Sequence, residues 1–155
     1  MKKILILTSI FISLAMIGCS SLQLQPADFS WAAEEVVEVG SKGMVDAKRY
    51  SVAFTVTPLL AKEFAADSMA AKNTTEVRLI RDKSGFYYLT GKKFKNVYVL
   101  AQSEGALAVS STITISEKAM DDPKFDQKDT YIELWSGKEK YQLTKGGATL
   151  LGGKK

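Results

Sequence analysis

The sequence predicts a mainly β protein, an antiparallel β-sandwich or small β-barrel of about eight strands with one α-helix. Three observations carry the prediction. Two segments alternate with period two, short Gly-containing gaps separate a series of further β-like runs, and one stretch alone has helical composition. At Tyr50–Val56, apolar Tyr50, Val52, Phe54 and Val56 alternate with Ser51, Ala53 and Thr55. The pattern returns where Leu107, Val109, Ser111, Ile113 and Ile115 alternate with small or hydroxylated residues. Such alternation places one face of a strand in a core, and the β-branched residues suit a pleated surface.

In chain order, Val36–Val39 reads as a strand leading through Gly40-Ser41-Lys42-Gly43 to the Tyr50 strand. Next, Thr57 is a candidate N-cap and Pro58 a first helical residue. Leu59 to Lys72 is dense in good helix formers and stops at Asn73. Leu60 and Phe64, four apart, share a face that lies across one end of the sheet. Runs at Glu76–Arg81, Phe86–Thr90 and Phe94–Gln102 are joined by hairpin-like gaps, as are Thr130–Trp135 and Lys140–Thr144. Ala119–Asp129 reads as a long acidic connection and residues 146–155 as a flexible C-terminal tail, both mobile. Residues 30–145 are then a single β-rich domain.

The N-terminus carries a different signal. Met1-Lys2-Lys3 precedes an uncharged apolar run over Ile4–Ile17, and Gly18 stands directly before Cys19. A run of this length is short for a membrane span, which needs about 20 residues, and fits the h-region of a secretory signal. With Cys19 after the cut, Met16-Ile17-Gly18-Cys19 resembles the lipobox of bacterial lipoproteins, with Met16 where that motif usually has Leu. The resemblance covers about the first twenty residues. It implies a signal peptide over residues 1–18 and acyl chains on Cys19, which would hold the chain on a membrane of the cell envelope. Ser20 after the cysteine, in place of the Asp that retains some lipoproteins at the inner membrane, points to the outer one in a host with two. Residues 19–29 then form the lipidated Cys and a tether, in which the nine residues Ser20–Asp28 span about 30 Å at most.

Composition narrows the chemistry. Cys19 is the one cysteine of the 155 residues, so no internal disulfide can form. The chain has no histidine, which removes Ser-His and Cys-His dyads and the common zinc sites. Two of the 21 basic residues are Lys2 and Lys3, leaving the rest nearly balanced against 17 acids and interspersed with them. Such a distribution does not form a nucleic-acid stripe. Asp121, Asp122, Asp126 and Asp129 crowd together but lack EF-hand spacing and carry Lys124 and Lys128 among them, so no metal site is expected. The G-x-S-x-G and S-x-x-K motifs are absent. Glu34, Glu35, Glu38 and Glu133 could serve a carboxylate hydrolase, although alternating Glu on a strand is more often its wet face.

The aromatic residues are the remaining feature. Tyr131 and Trp135 are expected on one face of their strand with Glu133 between them, and burial is expected for at least one ring, Trp135 first. The same rings, with Phe86 and Tyr88, are the candidate binding residues for an envelope protein or a glycan. The expected function is a non-catalytic binding or assembly module needing no cofactor. The alternatives are a small barrel carrying an apolar ligand and, third, a carboxylate-based hydrolase.

Overall fold

Tyr87-Tyr88-Leu89-Thr90 is buried at every position, which a strand achieves only when its sheet is covered on both faces. The computed structural model describes residues 33–65, 67–103 and 106–152. In chain order these form β1 (Glu35–Glu38), β2 (Met44–Ala47), β3 (Val52–Thr55), α1 (Thr57–Glu63), α2 (Ser68–Lys72), β4 (Glu76–Arg81) and β5 (Tyr87–Thr90). Then follow β6 (Asn96–Ser103), β7 (Ala106–Thr114), β8 (Lys124–Gln127), β9 (Ile132–Ser136), β10 (Glu139–Thr144) and β11 (Gly147–Gly152). A five-stranded sheet runs β1-β4-β5-β6-β7, a four-stranded sheet runs β11-β10-β9-β8, and β2 and β3 form a hairpin; every pairing is antiparallel.

Register divides the apolar residues of the larger sheet between two layers. Leu79, Leu89 and Tyr98 lie opposite one another across β4, β5 and β6, as do Tyr87 and Leu100, so these five share a face. Against it pack the hairpin and α1: Tyr50 meets Tyr87 edge-on at 5.7 Å, Phe64 meets Phe94 at 5.4 Å, and the Glu63 carboxylate accepts the Tyr98 hydroxyl at 2.7 Å. Ile80, Tyr88 and Val99 are opposite one another on the second face, with Val97 and Ile113 beside them. The four-stranded sheet covers this face with Phe125, Ile132, Leu134 and Leu143, all buried. The two sheets touch where β4 meets β8 and β7 meets β11. Arg78 donates to Asp122 at 2.9 Å on the first side, and the Ser111 hydroxyl donates to the Lys145 carbonyl at 2.8 Å on the second. The result is an antiparallel sandwich with the hairpin and helices as an outer layer.

Several expectations change in detail. The expected single helix is two short ones, because Asp67 accepts from the Met69 and Ala70 amides and starts α2 afresh. Thr57 is helical and does not cap: its hydroxyl donates to the Lys42 carbonyl at 3.1 Å and fastens the turn before β2. Eleven strands stand among the described residues where about eight were expected. β2 lies in the connection between Gly43 and the Tyr50 strand, and β8 lies inside the acidic connection that was expected to be mobile. The tail expected to be flexible contains β11, paired with β10 through Lys140 to Thr144, so the ordered domain runs on from the expected limit at 145 to Gly152. The expected signal peptide, Cys19 and the expected tether lie outside the described residues. No helix among the described residues is long and apolar enough to cross a membrane.

Candidate functional site: an aromatic cleft at one end of the sandwich

Three chain reversals meet at one end of the sandwich and enclose a cleft of about 280 Å³. The first joins β4 to β5. Asp82 organises it: one carboxylate oxygen accepts the Phe86 amide at 2.9 Å and the other accepts the Tyr88 hydroxyl at 3.2 Å. Gly85, at φ +90°, supplies the left-handed residue that this tight reversal needs. Phe86 is thereby held half-buried at the mouth and Tyr88 buried at the wall. Burial, and after it the Asp82 charge, raises the Tyr88 phenol well above its ordinary pKa, so the hydroxyl stays a proton donor.

The second reversal joins β8 to β9, where the Lys128 amide donates to the Tyr131 carbonyl at 2.9 Å. Tyr131 therefore sits in the bend ahead of β9 and lines the cleft with Thr130. The third, between β10 and β11, brings in Thr144 and Lys145, whose ammonium lies 5.4 Å from the centre of the Phe86 ring. Across the mouth, Lys83 pairs with Asp129 at 2.9 Å. Gln127 forms part of the lining. It is 6 % exposed, its Nε2 donates to the Lys128 carbonyl at 2.8 Å, and its Oε1 has no hydrogen-bond partner among the described residues. A buried polar atom without a partner costs about 1–3 kcal/mol, so this oxygen is an unused acceptor.

Of the residues singled out from sequence, Phe86, Tyr88 and Tyr131 come together here. Trp135 does not. It is 37 % exposed near the far end of β9, opposite Lys140, whose Nζ lies 3.7 Å over the indole. The expectation that Trp135 is the buried ring is therefore corrected: the Ser136-Gly137 turn leaves the ring open, and a cation rests on it. Tyr131 and Trp135 do not act as one platform either, because the strand begins only at Ile132, after Tyr131 has turned into the cleft. Asp82, Gln127 and Lys145 were not singled out. Isolated polar residues carry no periodic signal.

The other candidates disperse. Asp121 pairs with Lys93, Asp122 with Arg78 and Lys124, Asp126 with Lys128, and Asp129 with Lys83. No group of three or more potential metal ligands forms among the described residues. Glu34 accepts from the Arg78 guanidinium at 2.9 Å and from the Phe125 amide at 2.8 Å. Glu133 is buried, with Lys128 at 3.8 Å from the oxygen that lacks a hydrogen bond, and Glu35 accepts from the Arg49 amide. These carboxylates do not line the cleft. A second, open groove of about 620 Å³ runs beside the helices, lined by Val39, Leu60, Ala61, Phe64 and Ala71 among others. No protein-family model matches the chain, and neither a curated protein nor a solved structure matches it.

Proposed function

We propose that this chain is a lipid-anchored binding module of the bacterial cell envelope, non-catalytic, which takes its ligand or partner group in the end cleft. The observation that carries the reading is the convergence of Phe86, Tyr88 and Tyr131 from two sheets around the unpartnered Gln127 acceptor. Aromatic walls with a few fixed polar groups are the usual make-up of a binding pocket, and function concentrates on turns held by a rigid scaffold. The anchor belongs to the same proposal: acyl chains on Cys19 place the module at a membrane surface, the outer one if the host has two. The test is co-purification of the lipidated protein from its own envelope, beside a Phe86→Ala/Tyr131→Ala variant. Loss of a specific companion from the variant supports the reading. An identical set of companions from both proteins overturns the assignment to the cleft, and an intact mass without acyl chains on Cys19 overturns the anchor.

Carriage of an apolar ligand is the second reading. The space between the sheets is occupied by Ile80, Tyr88, Val97, Val99, Phe125, Ile132, Leu134 and Leu143, so support for carriage comes from the open groove at Leu60 and Phe64 instead of from a barrel interior.

A further inference from the structure

We infer that the end cleft recognises a single neutral pyranose unit, of the kind a cell-envelope glycan presents; the inference rests on the binding-module reading above and specifies its ligand. Charge is the first argument. The cleft carries Asp82 and Asp129 against Lys83 and Lys145. Asp129 is paired with Lys83, and Asp82 is occupied by the Phe86 amide and the Tyr88 hydroxyl. Lys145 rests on the Phe86 ring, so an anion would draw it off that ring and a cation would have to displace a partner of Asp82 or Asp129, whereas a neutral ligand leaves every contact in place.

Hydrogen-bonding capacity is the second. Gln127 is fixed by its Nε2 bond to the Lys128 carbonyl, which identifies the remaining amide atom as the oxygen, an acceptor. A ligand that satisfies it must donate. Thr130, Thr144, Ser84 and Tyr131 add hydroxyls that can donate or accept, so a polyol finds a partner for several groups at once, while a hydrocarbon would strand them. The third argument is shape. Phe86 and Tyr131 offer aromatic surface beside these polar atoms, and a pyranose has both an apolar C–H face and a rim of hydroxyls. At about 280 Å³ the cleft is just below the usual range for small-molecule sites, about 300–1,000 Å³, which suits one ring and not a chain of several.

The experiment is an amide NMR titration of the protein with methyl glucopyranoside, methyl galactopyranoside, methyl mannopyranoside and N-acetylglucosamine, each to about 50 mM, since a single ring is expected to bind at about millimolar strength. At least one sugar should shift the amides of Phe86, Gln127, Tyr131 and Lys145 while leaving Trp135 and the groove at Leu60 and Phe64 unmoved. Tyr131→Ala and Gln127→Leu should each weaken that sugar about fivefold or more, and Gln127→Met and Tyr131→Phe serve as milder probes if either fails to fold. Absence of saturable shifts from all four sugars overturns the inference, as does binding that Gln127→Leu leaves unchanged. The two proposals fail separately. If a protein companion is lost with Phe86→Ala/Tyr131→Ala but the sugars do not bind, the cleft remains a binding site and recognises a polypeptide.

Discussion

Removing the Glu63 carboxylate should be among the most costly single changes outside the apolar core, because one side chain serves three donors at and just before the start of a neighbouring strand, β6. Glu63 closes α1. It accepts the Lys95 amide, the Asn96 side-chain amide at 2.8 Å and the Tyr98 hydroxyl at 2.7 Å. The Lys95 amide is exposed enough to turn to water, so little is assigned to it. Tyr98 is fully buried, and its stranded hydroxyl costs about 2 kcal/mol, with about 1 kcal/mol more for the part-buried Asn96 contact. Glu63→Ala should therefore lose about 3 kcal/mol, which for a domain of this size lowers the melting temperature by about 10 °C. Urea unfolding of Glu63→Ala, Tyr98→Phe and the double variant measures both the loss and the coupling. The coupling should be about 1–2 kcal/mol, since Tyr98→Phe removes the group that the first change strands. A loss below about 1 kcal/mol, or strict additivity of the two changes, would refute the view that this carboxylate fastens the helical layer to the sheet.

Other outcomes follow from the same structure. Arg78 bridges Glu34 and Asp122 with little exposure, so Arg78→Ala should cost about 3 kcal/mol in urea melts, far more than loss of the exposed Lys83–Asp129 pair. Gly43→Ala should destabilise by more than about 2 kcal/mol, because Gly43 is at φ +72° and a Cβ would lie 2.2 Å from the Thr57 hydroxyl; Gly137→Ala, at φ +62° in open space, should cost only about 1 kcal/mol by the same melts. Tyr88 and Tyr98 are held protonated, first by burial and then by Asp82 and Glu63, so their folded pKa values lie above the unfolded value of about 10. Above that pH the unfolded state releases protons that the folded state keeps. Stability should therefore be constant through neutral pH and fall as pH rises past about 10, and a melting temperature that climbs there would contradict the sign. Trp135→Ala should leave the melting temperature within a few degrees of the parent.

How far the sequence shows this fold depends on how much apolar signal each strand carries. β3, β5, β6 and β7 are legible because Phe54, Tyr87 to Leu89, Val97 to Leu100 and Ile113 make long or regular apolar patterns. β8 is not: it turns Phe125 and Gln127 inward, and a glutamine facing the interior looks like solvent-facing sequence. β11 hides between Gly146 and Gly152 for a related reason, since its residues stay largely exposed and its order comes from pairing with β10. The helical break was concealed by composition. Alanines on both sides favour a continuous helix, and only the Asp67 cap separates α2 from α1. For the cleft, aromatic content pointed to Phe86, Tyr88 and Tyr131. Their meeting is a property of the sandwich, which brings the β4–β5 turn beside the β8–β9 and β10–β11 turns. Trp135 stays open because the Ser136-Gly137 turn, expected to shield its edge, does not cover the ring, and Tyr131 parts from it because the period of two does not extend through the bend before Ile132.

The most direct test of the central claim is site-specific photocrosslinking in the native envelope, with a photoreactive phenylalanine derivative in place of Tyr131 in one strain and of Trp135 in another. A discrete adduct, a protein or a glycan, is expected from position 131 and none of comparable yield from position 135. An adduct from position 135 with nothing from position 131 would move the binding surface to the outer face of β9 and contradict the assignment of function to the end cleft.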